Sequence, residues 1–461
     1  SANSAAASPA VTKAKEDGEE KNAAREPGEN GRARAPTGHG RLLWWFASLL
    51  PLTAWLCKEL AAVGPDPSLA SRAALGGAAR CLDGSQANYY LAPGYASGRR
   101  KWVIYFQGGG WCAGSEAVAN LPGYSHSEDV AHPDLCEDRA KGYHGSSVGD
   151  RASRSFADKG YLSGDASINP MMHNWNRVLV RNCDGTLFLS SASVLAANAT
   201  LQLRGRDTVF AAVEALLQRG LSMATDVLLS GCSAGAVAAV VHADAVRSRI
   251  EAAAAARGGR VFVAALADSG VFPDWETAGG TPEGALHLPQ LQWIFEAGNA
   301  SASVPPACLA AGHGWRCVLL GTVLPYVRTP AFILQSLVDS WSLNAWPSKS
   351  ALESLQSHLA GLIVPAIRGP HGGAIDNCLH HCQAWGDIRW GGVSNREAFE
   401  TWFQTRRQQW AAGQEPDLSE GWPLVHGKEP GAPGCYAGQE SHQKWHSNVR
   451  RLSEIDSVLA G

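Results

Sequence analysis

The chain lacks an excess of charge of either sign: its 461 residues carry a net charge of −3 and a pI near 6.6. That balance removes the electrostatic case for a nucleic-acid partner. No C-x-x-C pair and no zinc-finger spacing of Cys and His occurs among the eleven cysteines, so a structural metal is not expected. The main apolar run, Leu42 to Cys57, has sixteen residues and is short for a bilayer span. Residues 1–40 contain almost no large apolar side chain and are expected to form a disordered, low-complexity tail. No internal repeat is apparent.

What is present suits a large, oxidised, folded protein. Apolar residues make up 45% of the chain, enough for a sizeable core. Cysteines scattered along a long chain read as disulfides of the secretory pathway. Two glycosylation triplets, Asn198-Ala-Thr200 and Asn299-Ala-Ser301, fit that compartment. A basic flank (Arg32, Arg34, Arg41) before the apolar run and small residues after it make 41–64 a signal peptide or a signal anchor, the latter tethering the protein to a membrane through 42–57. The folded domain is then 65–461. The chain opens on Ser1, as a fragment or a processed product would. Seventeen tryptophans suit sugar stacking and ordinary core packing equally well.

The most informative stretch is Asp226-Val-Leu-Leu-Ser-Gly-Cys-Ser-Ala-Gly-Ala236. An apolar run (Val227 to Leu229) enters G-x-S-x-G, and a helical pattern, Ala236 to Arg247, follows at once. A serine on a sharp strand-to-helix turn has its hydroxyl lifted above the sheet edge, beside the free N–H groups of the helix amino end. Ser233 is therefore the candidate nucleophile.

Other segments repeat the alternation of strand and helix. Trp102 to Phe106 reads as a buried strand and opens into Gln107-Gly-Gly-Gly-Trp-Cys112, a loop whose backbone N–H groups can approach a ligand closely. Arg177 to Arg181, Arg260 to Leu266 and Ala331 to Val338 read as further strands. Thr208 to Arg219, with Asp207 as N-cap and Gly220 as stop, Leu291 to Ala297 and Ser350 to Leu362 read as helices, and 448–459 as a short final one. The region between Ser350–Leu362 and Asn377 reads as a glycine-rich loop. The pattern implies an α/β fold: a mostly parallel central sheet with helices on both faces.

A serine hydroxyl needs a base and a group that orients the base, in the chain order Ser, Asp or Glu, His for this arrangement. Asp339 ends a strand and follows Ser233. Asp268 is its main competitor, and Asp184, which precedes the serine, fits less well. The histidines downstream are His358, His371, His380, His381, His426, His442 and His446. Only the His380-His381 pair is held directly between two close cysteines, Cys378 and Cys382, which could clamp the loop, and the residues alone do not choose between the two.

The segments Gly108-Gly-Gly-Trp-Cys112, Asn174-Trp-Asn-Arg-Val178, Cys183-Asp-Gly185, Leu229-Ser-Gly-Cys-Ser-Ala-Gly235 and Cys378-Leu-His-His-Cys-Gln383 together resemble the pectin acetylesterase and Notum family. The resemblance runs from about Cys81 to Gln383 and more weakly through Ala398 to Phe403. It implies an α/β-hydrolase-like fold and a triad of Ser233, Asp339 and His381. It also implies an oxyanion hole from the N–H groups of Gly110, Trp111 and Ala234, with neither cofactor nor metal. Gln107 stands where the family usually has glutamate, and His380 where a small residue is usual. Within the resemblance we expect bridges Cys81–Cys183, Cys112–Cys136 and Cys308–Cys317, Cys435 pairing with Cys378 or Cys382, and Cys232 as a buried free thiol.

The implied activity is that of a secreted or membrane-anchored serine esterase removing acetyl groups from a cell-wall polysaccharide such as pectin. Deacylation of a protein carrying a longer fatty acyl group, and an inactive binding protein of the same fold, are the alternatives.

Overall fold

The computed structural model describes residues 66–115, 135–157, 160–196, 199–274, 287–344, 352–382, 385–386, 388–390, 393–414 and 422–425. The expected tail, the targeting segment, Asn198, Cys435, His426, His442, His446 and the expected final helix lie outside them.

Fourteen strands occur among the described residues. In chain order they are β1 (Leu69–Ala74), β2 (Asn88–Ala92), β3 (Lys101–Phe106), β4 (Ser153–Ser155), β5 (Asn176–Val180), β6 (Ala192–Ala196), β7 (Ala199–Leu203) and β8 (Asp226–Cys232). They continue as β9 (Phe262–Asp268), β10 (Ala331–Ser336), β11 (Gly372–Asp376), β12 (Arg389–Trp390), β13 (Val393–Ser394) and β14 (Trp422–Val425). Ten of them form one sheet in the order β14-β11-β10-β9-β8-β3-β5-β2-β1-β4. From β14 to β5 every neighbour is parallel, and β2, β1 and β4 add an antiparallel edge.

Both faces of the parallel part are covered, as its sequence demands, because an apolar side chain on either side of a strand must be buried. Alternation along each strand divides the core in two. Val227 and Leu229 of β8, with Ile104 of β3 and Ile333 of β10, join the cluster that takes in Val209, Val213 and Leu216 of helix Gly205–Gln218, Leu291 and Ile294 of helix His287–Ala297, and Leu355 and Leu359 of helix Leu352–Ala366. Leu228, Phe262 and Phe332 point the other way, onto Phe399, Trp402 and Phe403 of helix Asn395–Ala411. That helix starts at a capping box, with Ser394 accepting from the Glu397 N–H and Glu397 accepting from the Ser394 N–H. Helices thus lie on both faces, and the architecture is α/β-hydrolase-like.

Two expectations about local structure, an N-cap and a loop, need correction. Asp207 is not an N-cap: helix Gly205–Gln218 begins before it, and the Asp207 carboxylate accepts from Ser191 Oγ at 3.0 Å and pairs with Arg204 at 3.4 Å. The glycine-rich stretch before Asn377 contains not only loop but a fully buried strand, β11, paired in parallel with β10 on one side and β14 on the other.

The expected bridges Cys81–Cys183, Cys112–Cys136 and Cys308–Cys317 are present. Cys232 is not a free thiol. It is bonded to Cys382, a residue 150 positions away, with Cα atoms 5.8 Å apart. This excludes Cys382 as a partner for Cys435, and Cys378 is itself disulfide-bonded.

Candidate active site

The carboxyl ends of β8, β9, β10 and β11, adjacent in the sheet, supply Ser233, Asp268, Asp339 and the pair His380-His381. Parallel strands necessarily present such ends at one edge, and the loops that follow them are where an open α/β sheet builds a site.

Ser233 sits between β8 and helix Ala234–Val241 with φ 56° and ψ −124°. A non-glycine residue there is strained, and the surroundings hold it: its N–H donates to the Asp268 carbonyl at 2.8 Å, and the helix packs tightly behind it. Gly235 is required because a Cβ would collide with the carbonyl of Phe106 on β3. Ser233 is 5% exposed.

The glycine loop after β3 lies against this turn. Phe106 is in register with Gly231, and a Cβ on Gly108 would meet the Cys232 carbonyl oxygen at 2.6 Å. The loop's carbonyls are tied back from the site: Arg139 Nη2 donates to Gly109 O at 2.6 Å and to Gly110 O at 3.2 Å, and Asn182 Nδ2 to Gly108 O at 3.3 Å. Among the described residues, the amides of Gly110 and Trp111 donate to no backbone carbonyl. Ala234 is the first residue of its helix, where an amide has no partner within the helix. Gln107 hydrogen-bonds to Tyr143 Oη at 3.3 Å and accepts from the Asn182 N–H at 3.4 Å.

The two adjacent histidines take different carboxylates. His381 Nδ1 lies 2.7 Å from Asp339 Oδ2, while Asp339 Oδ1 accepts the Ser342 N–H at 2.8 Å. His380 Nε2 lies 3.0 Å from Asp376 Oδ1, and its carbonyl accepts the Ser340 N–H at 3.1 Å. Burial pushes the His380 pKa down, but the hydrogen bond and charge of Asp376, with the charges of Asp268 and Asp339, outweigh it and leave the value raised.

Asp268, the competing acid, is fully buried and accepts from Tyr161 Oη at 2.7 Å and from Ser269 Oγ at 3.0 Å. Ser269 Oγ in turn accepts the Cys382 N–H at 2.8 Å, so this carboxylate braces the loop that carries His381. Asp184 is held by the Thr186 N–H and hydroxyl, and burial raises its pKa. His371 is buried beneath β10, where the Ala331 N–H reaches it, and burial depresses its pKa to about 4. His358 accepts the Asp274 N–H at 3.1 Å.

The feature that the sequence reading missed is the Cys232–Cys382 link, which ties the residue before Ser233 to the residue after His381. Its signal was there: one cysteine directly precedes the candidate nucleophile and another directly follows the candidate base.

The fold and part of the sequence have known counterparts. Pectin acetylesterase 7 of Arabidopsis thaliana is 28% identical over 400 residues, covering 80% of this chain and 94% of that protein. The human palmitoleoyl-protein carboxylesterase NOTUM is 25% identical over 359 residues, covering 73% and 66%. The solved structure of the Wnt deacylase Notum from Drosophila superposes with a TM-score of 0.61 at 20% identity, covering 80% of this chain and 99% of that one, a likeness of fold. The family model for pectinacetylesterase matches residues 69–361, well over half of the sequence, and the chain belongs to that family.

Proposed function

We propose that the protein is a serine carboxylic-ester hydrolase that removes acetyl groups from a cell-wall polysaccharide such as pectin. Ser233 is the nucleophile, His381 the base and Asp339 the group that orients it. The observation that carries this reading is the 2.7 Å contact between His381 Nδ1 and Asp339 Oδ2, on a loop whose next residue is bonded to the neighbour of Ser233. With Nδ1 engaged by the carboxylate, Nε2 is the nitrogen left to accept a proton.

Ser233 Oγ attacks the acetyl carbonyl carbon as its proton passes to His381, and the carbonyl oxygen becomes an oxyanion. The N–H groups of Gly110, Trp111 and Ala234 stabilise that charge, each contributing on the order of 3 kcal/mol to the transition state. Collapse expels the sugar hydroxyl, which takes the proton from His381. Water, deprotonated by the same imidazole, then opens the acetyl-enzyme and releases acetate. Asp339 holds the tautomer and stabilises the imidazolium without itself being protonated.

The relatives named pectin acetylesterase support the acyl group and the polymer. The disulfides support an oxidising compartment, hence secretion to the extracellular space or cell wall, with 42–57 as leader or anchor. Among the described residues no helix is long and apolar enough to cross a membrane.

The test is acetate release from acetylated pectin, acetylated xylan and a simple acetate ester, side by side. Release from pectin above xylan is expected. Release from the simple ester alone would contradict the polymer, and release from none would contradict the esterase.

A further inference from the structure

The rings beside the site bear on which acyl group it accepts. Trp111, whose amide lies in the oxyanion loop, packs edge-on against Phe272 with centroids 4.8 Å apart. Trp341, two residues after Asp339, closes the triangle at 4.9 Å from Phe272 and 5.3 Å from Trp111. Its indole also lies 6.5 Å from the His381 ring and 5.5 Å from His287. Trp111 is 4% exposed and Phe272 2%, whereas Trp341 is partly exposed. The cluster is braced at its back, where Trp111 Nε1 donates to Gln290 Oε1 at 3.1 Å and His287 Nε2 meets the Pro273 carbonyl at 2.8 Å.

This arrangement restricts space. In the acyl transfer described above, the carbonyl oxygen sits on the amide of Trp111 and the proton moves through His381. The leaving oxygen faces His381, from which it takes its proton, and we place the acyl substituent on the side of the carbonyl carbon next to the Trp111 ring. Trp341 bounds that side, with its ring 5.3 Å from that of Trp111 and 6.5 Å from that of His381. An acetyl methyl needs only a van der Waals contact with the indole face. A longer chain requires an aromatic side chain, packed on two sides, to move out of a dense cluster, and such displacement is costly.

We propose that Trp341, backed by Phe272 and Trp111, is the residue that limits the acyl group to acetyl. The proposal rests on the esterase reading and deepens it by assigning the acyl specificity to one side chain. An apolar wall discriminates by about tenfold or more for each methylene that it admits or rejects.

The experiment compares kcat/KM for p-nitrophenyl acetate, butyrate and octanoate in the wild type, Trp341→Ala, Trp341→Leu and Trp341→Phe, each normalised to sites titrated with a small fluorophosphonate. The wild type is expected to prefer acetate over octanoate by about 10²-fold or more. Trp341→Ala is expected to narrow that ratio at least tenfold, with Leu and Phe graded between, and the graded pair carries the result if the alanine variant does not fold. Octanoate cleaved as well as acetate by the wild type, or a ratio unchanged across titrating variants, would overturn the acyl limit and leave the esterase standing. Hydrolysis of no ester by the wild type would remove both.

Discussion

Cys232 and Cys382 are covalently joined, so the residue before Ser233 and the residue after His381 cannot separate while the bond is intact. Packing alone would otherwise have to hold the proposed nucleophile and the proposed base together. Here a bond spanning 150 positions sets how far apart the two turns can drift.

Breaking that link should therefore affect chemistry as well as stability. Replacing both cysteines by alanine is expected to lower kcat by about 10²-fold, the cost of misplacing reacting groups by about an ångström. Because the cross-link closes a long loop, the urea midpoint should also fall, by the equivalent of about 3–5 kcal/mol. A variant with wild-type kcat would show that the turn at Ser233 and the loop carrying His381 hold their positions without the bond.

His380 and His381 differ in partner, and substitution should separate them. His381→Gln is expected to reduce turnover about 10⁴-fold, as losing the base of a triad does. His380→Gln is expected to reduce it by about tenfold or less, an effect transmitted only through the loop. Equal losses would contradict the assignment of the base.

The same pair yields a pH dependence of stability. The pKa of His380 is raised in the folded protein, with Asp376 its nearest carboxylate and Asp268 and Asp339 behind it. A raised folded value means that the folded state holds the proton more tightly than the unfolded chain. The stabilisation is fully present below the ordinary histidine value of about 6.5 and is lost as pH rises through the folded value. The stability gap between wild type and His380→Gln, measured by urea unfolding, should be wider at pH 5.5 than at pH 8.5. A gap that widens with pH would contradict the ion pair.

Much of the fold was legible because the central strands are buried on both faces and leave continuous apolar runs. Val227 to Leu229 packs alternately into two clusters, and the glycines beside Ser233 mark where backbones meet. The antiparallel edge was not legible: β1 alternates only weakly, and β4 is three residues of Ser-Arg-Ser. The strand β11 was hidden because its two glycines look like loop until neighbours on both sides are known. Choosing between adjacent histidines depends on which carboxylate each ring reaches, Asp339 for His381 and Asp376 for His380, and no local pattern in the sequence carries that. The bond from Cys232 to Cys382 was missed for a related reason: the two ends approach only after the four adjacent strands β8, β9, β10 and β11 are in register.

The central claim is that Ser233 carries out the chemistry. The direct measurement is turnover of a simple acetate ester by Ser233→Ala, purified free of other esterases and shown to unfold at the wild-type urea midpoint. The account predicts a fall of about 10⁴-fold or more, together with loss of covalent labelling by a fluorophosphonate. Turnover within tenfold of wild type would contradict it.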